Sequence, residues 1–443
     1  MKKLEEFGLR IPEILLPHNI DISTWSVIAC DQYTQDLDYW KKAENTAKGK
    51  PSTLNLILPE VYLSSPDKSE RINNIRNNMK SYLDNGVFDE AKKCFFYIER
   101  KTAFGRTRKG LVAQIDLETY EWKPFSKANI RATEATIVDR IPPRMEIRKG
   151  APVELPHIML LVNDKDDILV GGAGNAVKEN APLYKGELMN NGGSITGWSL
   201  SSDKEIDVVT KAVNEIAEKN TSSDGSTFLF AVGDGNHSLA TAKAVWDEYK
   251  EELKAKGASE EELLNSNVRY ALIEIVNIYD TGLTFEPIHR VIFNIDNMAL
   301  INHLATKLDG TIKEMNSAED MEKAVKNSQA FFGFDFVDEN KNQKYILLET
   351  NIKELAVARL QPEIDEFMKT QGKEGEIDYI HGTDEVVALG TKEKALGVLL
   401  PPIAKDSFFE TINGRGPLPR KSFSMGEADE KRFYLECRKL FDY

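Results

Sequence analysis

No run of about 18 consecutive apolar residues occurs in the 443-residue sequence, so no transmembrane helix is expected. The opening residues MKKLEEFGLR are charged and lead into no apolar stretch, so no signal peptide is expected. Cysteine is scarce: Cys30, Cys94 and Cys437 are far apart, odd in number and form no CxxC pair. That argues against a disulfide framework and a cysteine zinc site, and fits a reducing cytoplasm. Histidine is also scarce, six in all, and His18, His157, His303 and His381 are scattered without HExxH or other ligand spacing. Positive charge is in deficit, 57 Lys and Arg against 71 Asp and Glu, for a net charge of −14. Broad nucleic-acid binding needs a basic surface and is not expected, although a small basic pocket for an anion remains open. There is no Walker A loop, no G-x-G-x-x-G fingerprint, no internal repeat and no low-complexity tract.

What is present is the composition of an ordinary globular protein, 41% hydrophobic and 29% charged. At roughly 100–200 residues per domain, the length predicts two or three domains. Periodicity predicts helices over 67–85, 203–219 and 238–256, and strands over 94–100, 110–117, 157–164, 226–232 and 268–279. FGRTRKG (104–110) reads as a basic hairpin loop, while VGGAGNAV (170–177) and NNGGSITGW (190–198) read as loops. From about Phe293 a helix–strand–helix–hairpin pattern suggests a small α+β subdomain. Strands and helices alternate without a readable crossover order, so a mixed α/β fold is expected.

AVGDGNHSLATA (231–242) is the most informative stretch. An apolar strand ends in a turn where Gly233 and Gly235 flank Asp234, and a small-residue helix follows. Asn236 or Asp234 can cap that helix. The turn aims backbone N–H groups outward at a helix N-terminus, which favours an anion. His237 can add a charge-assisted bond to a phosphate, and Asp234 can hold a metal ion or position a hydroxyl. A plain strand–turn–helix junction accounts for the same residues. IRATEATIVDRIPPR (130–144) carries Arg131, Glu134 and Thr136, and Pro142 and Pro143 forbid a long regular helix there. A threonine-capped helix start is its simplest local reading.

Four blocks, IRATEATIVDR (130–140), GDGNHSLATAK (233–243), GLTFEPIHRVI (282–292) and LPRKSF (418–423), resemble in order those of the DUF1015 family of uncharacterised bacterial proteins. The turn also resembles that of the ParB-like/sulfiredoxin superfamily, which includes free-serine kinases. The family turn is usually DGHHR, so Ser238 stands where an arginine is usual, which weakens an arginine clamp on phosphate. IRATEAT is similar to the family's HE-x-T element, with Thr133 in place of the histidine.

The resemblance implies a ParB-like core at 130–292, an N-terminal α/β segment at 1–129, and a C-terminal α+β subdomain at 293–443 that returns basic residues to the cleft. It implies phosphoryl transfer between a nucleotide or pyrophosphate and free serine or phosphoserine, in either direction. Glu134 would be the base, Asp234 would act with Mg2+, and His237 with the turn amides would cradle the phosphoryl group. Gly233, Gly235, Asn236, Ser238, Arg131 and Thr136 would line the phosphate site. His289 and Arg290, and Arg420, Lys421 and Ser422, are further candidates for phosphate, each with a local structural alternative. ADP, ATP or pyrophosphate would be the phosphoryl partner. A non-catalytic nucleotide- or amino-acid-binding regulator and a ParB-like nuclease are the alternative functions. CDQYTQDLDYW (30–40) differs from the family block at its place, which leaves its role open.

Overall fold

The computed structural model describes residues 1–370 and 375–443. It is a mixed α/β protein of two compact units, Met1–Leu283 with Gly426–Tyr443, and Thr284–Met425. The first is built on a ten-stranded sheet. In chain order its main strands are β1 (Phe95–Lys101), β2 (Thr107–Asp116), β3 (Tyr120–Glu121), β4 (Ile130–Ala132), β5 (Met159–Val162), β6 (Tyr184–Glu187), β7 (Ser194–Leu200), β8 (Phe230–Asp234) and β9 (Tyr270–Asn277). They lie in the order β6-β7-β1-β2-β9-β5-β8-β4-β3, and Leu9–Arg10 pairs with β2. The pairs β9–β5, β8–β4 and β4–β3 are parallel, and the others along this path are antiparallel.

The helices of this unit include α1 (Lys68–Asp84), α2 (Ile141–Arg148), α3 (Val170–Val177), α4 (Asp203–Lys219) and α5 (Asn236–Ala255). α4 begins on a capping box between Ser202 and Glu205 and buries Val209, Val213 and Ile216, as its spacing predicts. The two prolines of IRATEATIVDRIPPR fall in the first turn of α2, where a missing N–H is harmless.

Two glycine-rich stretches depart from the loop expectation. VGGAGNAV is the helix α3, because Asp167 accepts from Gly171 N at 3.0 Å and packing rewards small residues. A Cβ on Gly174 would lie 2.5 Å from Tyr97 Cζ, so the glycine lets the helix approach the sheet. NNGGSITGW enters strand β7, whose Ser194–Leu200 pair in full register with Lys101–Phe95 of β1. Its backbone bonds go to a strand nearly a hundred residues away, which local composition does not report.

The unit boundaries also differ from the expected 129/130 and 292/293 divisions. β1, β2 and β3 share one sheet with strands from 130–283, so no break falls at 129. The second unit begins at Thr284, and residues 426–443 rejoin the first through bridges such as Ile28–Phe433 and Leu15–Cys437.

The second unit holds a six-stranded sheet. Its strands β10 (His289–Phe293), β11 (Thr311–Met315), β12 (Phe331–Val337), β13 (Gln343–Glu349), β14 (Glu376–Ile380) and β15 (Ala395–Leu399) lie in the order β11-β13-β12-β15-β10-β14. Asp335 of β12 is fully buried, with its carboxylate laid over Gly390 and Gly397, where a Cβ would meet its oxygens at 1.7 and 2.0 Å. Burial, and then the nearby Glu322, push this carboxyl up to about 7. Its folded value lies above the ordinary value near 4, so the second unit loses stability as pH rises from about 4 to 7. Asp335→Asn is expected to remove a slope of at most about 1.4 kcal/mol per pH unit, read from hydrogen exchange of Phe331–Val337 at pH 5 and 8.

Candidate active site

β4 and β8 are parallel neighbours, with Ala132 opposite Val232, so the segments that follow them leave the sheet side by side. Residues 133–137 are tied to the Gly-Asp-Gly-Asn-His turn at both ends. Thr133 N donates to Asn236 Oδ1 at 3.2 Å, Asn236 Nδ2 donates to Thr133 Oγ1 at 3.2 Å, and that hydroxyl donates to Val232 O at 2.6 Å. Ile137 N donates to His237 Nε2 at 3.3 Å. Glu134 sits between these two anchors, half-buried. Glu134 and Asp234, a hundred positions apart, thus come from adjoining strand ends.

The turn itself is made by a register shift between Val232 and Asp234, which places Gly233 in a bulge, followed by Gly235 in the left-handed region at φ 85°. A Cβ on Gly235 would meet Ile158 Cγ1 at 3.0 Å and Ile158 Cα at 3.2 Å. Gly235→Ala is therefore expected to lower stability by about 1–2 kcal/mol, measured as a fall in the midpoint of thermal unfolding. The N-cap of α5 is Gly235 and not Asp234 or Asn236, and a glycine has no side chain to cap the first turn. His237 accepts through Nε2, so while that bond holds this nitrogen offers no hydrogen to a phosphate.

Asp234 is mostly buried, and Lys431 Nζ stands 3.6 Å from its Oδ2. Burial raises the Asp234 carboxyl; Lys431 opposes this, the negative charge of Asp31 adds to it, and His157 opposes it. Asp31 Oδ2 lies 3.7 Å from His157 Nε2. His157 also meets Ser238 Oγ at 2.8 Å through Nε2 and Tyr434 OH at 2.7 Å through Nδ1. Ser238, which takes the place of the family arginine, is thus hydrogen-bonded to a buried histidine.

The remaining candidates have local partners. Arg131 is buried, donates to Ala128 O at 2.8 Å and lies over the Phe228 ring at 4.5 Å. Thr136 Oγ1 is buried without a hydrogen-bond partner among the described residues. His289, Arg290, Arg420, Lys421 and Ser422 belong to the second unit. His289 accepts from Leu400 N at 3.1 Å, and burial lowers it to about 4, so it is neutral at pH 7. Arg290 is fully buried and donates to Gln361 Oε1 at 2.9 Å and to Ile288 O. Arg420 and Lys421 are exposed, and Ser422 donates to Pro419 O.

Asp31, His157, Lys431 and Tyr434 were not among the sequence candidates. Asp31 lies in the stretch whose role was open, and His157 had no ligand spacing to mark it. Lys431 and Tyr434 carry no motif and arrive through the returning C-terminal segment.

The model of the family described as "Protein of unknown function (DUF1015)" matches residues 15–374. The chain belongs to the DUF1015 family. No curated protein matches this DUF1015 chain in sequence. Among solved structures it is similar to a free serine kinase in complex with AMP, at 12% identity and TM-score 0.36, over 73% of this chain and 90% of that one. A conserved hypothetical protein from Pyrococcus furiosus is similar at 12% identity and TM-score 0.35, over 74% and 94%. SbnI with a C-terminal truncation, from Staphylococcus aureus, is similar at 8% identity and TM-score 0.33, over 71% and 82%. Among the described residues of this DUF1015 chain, no helix is long and apolar enough to cross a membrane.

Proposed function

We propose that this protein transfers a phosphoryl group between a nucleotide or pyrophosphate and free serine or phosphoserine, as a distant member of the ParB-like, free-serine-kinase group. The observation that supports this reading is the tie between residues 133–137 and the Asp234 turn, which carries Glu134 and Asp234 on adjoining strand ends beside the N-terminus of α5. Phosphoryl transfer asks for an aligned nucleophile, a base within reach and groups that spread negative charge.

In the kinase direction the serine hydroxyl oxygen attacks the terminal phosphorus, Glu134 takes its proton, and the bond to the nucleoside diphosphate breaks. In the reverse direction an oxygen of the diphosphate attacks phosphoserine, and Glu134 returns the proton to the serine oxygen. The first-turn N–H groups of α5 hold the transferred oxygens. The carboxylate of Asp234, which the negative charge of Asp31 pushes up, is an oxygen donor of the kind Mg2+ takes and would hold it. When bound there, Mg2+ supplies charge neutralisation to the phosphates. Lys431 stands beside Asp234 and balances its charge.

The test is to incubate the purified protein with serine, ATP and Mg2+, and separately with phosphoserine, ADP and Mg2+, and to follow both amino acids chromatographically. Exchange in either direction supports the reading. No exchange across several nucleotides and pyrophosphate overturns it, and calorimetric binding without turnover assigns a regulator instead.

A further inference from the structure

In the second unit, α6 (Asn297–Lys307) and α7 (Ala356–Thr370) pack against each other. Each buries an apolar stripe, Leu300, Ile301 and Leu304 on one and Leu360, Ile364 and Phe367 on the other. His303 and Glu363 stand three residues beyond Leu300 and Leu360, on the same helix faces. His303 Nε2 and Glu363 Oε2 are both buried, and neither has a hydrogen-bond partner among the described residues. They lie 3.9 Å apart, too far for a hydrogen bond between them. The Phe367 ring packs on the imidazole at 5.5 Å between centroids. Glu366, one turn on from Glu363, brings a second carboxylate. One ligand atom from each of the three residues lies within 4.8 Å of the other two. Lys307 Nζ donates to both Glu366 oxygens, at 3.1 and 3.0 Å, and stands 3.9 Å from Glu363 Oε2.

We propose that His303, Glu363 and Glu366 form a zinc site that clamps α6 to α7. One imidazole nitrogen with two carboxylate oxygens is a donor set for Zn2+, whereas Mg2+ takes oxygen ligands. Zinc–ligand bonds of about 2.0–2.1 Å put tetrahedral ligand atoms about 3.3 Å apart, so His303 and Glu363 close by only about 0.6 Å. One ion then serves both buried atoms, which otherwise stand desolvated without compensation. Glu366 is exposed, so water reaches the fourth position from its side. Lys307 is exposed as well, and its ammonium moves from the carboxylates into solvent when the ion enters. α6 follows β10 and α7 precedes β14, and these two strands pair antiparallel, so the clamp joins the helices that flank this pair. The ligands show no motif spacing because they come from two separate helices. The phosphoryl reading uses none of the three.

The experiment strips the full-length protein with EDTA, removes the chelator, and follows backbone hydrogen exchange by mass spectrometry without metal, with Zn2+ and with Mg2+. The expected result is exchange slowed about tenfold or more by a saturating excess of Zn2+ in peptides from 297–307 and 356–370, and unchanged by Mg2+. His303→Gln abolishes this protection. Calorimetry with Zn2+ reads the affinity, which Glu366→Gln weakens about tenfold. Lys307→Met removes the competing ammonium and tightens binding about threefold or more. Near-ultraviolet circular dichroism checks that each variant is folded, and the wild-type protection pattern stands without them. No protection of the two helices by Zn2+, equal protection by Mg2+, or protection that survives His303→Gln overturns the proposal. Zinc uptake with the same stoichiometry in His303→Gln is binding at other side chains only, and overturns it too. The readout is not phosphoryl exchange, so this proposal and the proposed function fail separately.

Discussion

Glu274→Ala is expected to destabilise the first unit by about 3–5 kcal/mol, the largest stability effect of any single substitution considered for this protein. Glu274 lies in the middle of β9, a strand buried along its whole length, and is fully buried itself. Gly110 on the neighbouring strand makes room for it, since a Cβ there would lie 2.3 Å from Glu274 Oε1. Arg108 Nε donates to Oε1 at 3.2 Å and Arg432 Nη1 donates to Oε2 at 2.5 Å. Arg432 is held in turn by Glu436 and by Pro156 O. Removing the carboxylate leaves two buried guanidiniums facing each other, which costs more than the loss of the contacts themselves. All five tryptophans lie in residues 1–283, so tryptophan fluorescence during urea unfolding reports on this unit alone.

The same pair sets a pH dependence. Burial alone would raise the Glu274 carboxyl, but Arg108 and then Arg432 more than reverse this and hold it below the ordinary range. Its stabilising contribution is present above the unfolded-state value near 4.3 and is lost as pH falls through the lower folded value. The gap between wild type and Glu274→Ala is therefore expected to narrow below about pH 4.

Glu134→Gln is expected to lower phosphoryl exchange by about 10²–10⁴-fold while leaving the fold intact by near-ultraviolet circular dichroism. The segment is anchored by Thr133 and by the Ile137 amide, neither of which involves the Glu134 carboxylate. The substitution keeps the size of the side chain and removes its negative charge and with it the ability to take a proton. Exchange rates with serine and ATP, and with phosphoserine and ADP, should fall by the same factor, because the equilibrium of the reaction is not the enzyme's to change. Unchanged rates would remove Glu134 from the role of base.

Much of the local structure was legible in the sequence. The helix over 203–219 and the strand over 268–279, observed as Asp203–Lys219 and Tyr270–Asn277, followed from periodicity and from β-branched and aromatic residues, which act within a few residues of themselves, whereas the strand expected over 226–232 runs from Phe230 to Asp234. The glycines of the Asp234 turn marked a backbone that needs φ above zero, and Gly235 adopts it. The loop assignments failed at 170–177 and 190–198, where long-range partners decided the conformation. In both, a glycine that looked like a loop former is a glycine because something packs closely on it.

The candidate site divides the same way. Glu134, Asp234, Asn236 and His237 were readable because each sits in a motif, yet their common location depended on β4 and β8 pairing in parallel. His289 and Arg290 looked like an anion pair in sequence, but burial makes the histidine neutral and ties the arginine to Gln361. His157, Lys431 and Tyr434 could not be read as site residues, and Asp31 stood only in a stretch whose role was open. They come from segments up to four hundred residues apart, and residues 426–443 reach them only by leaving one compact unit for the other. Composition and charge by themselves determined that this is a globular protein with no long apolar span and no broadly basic surface. Tertiary structure alone decided which charges face each other. Electrostatic and hydrogen-bonding partners are set by distance in space, and a sequence records only distance along the chain.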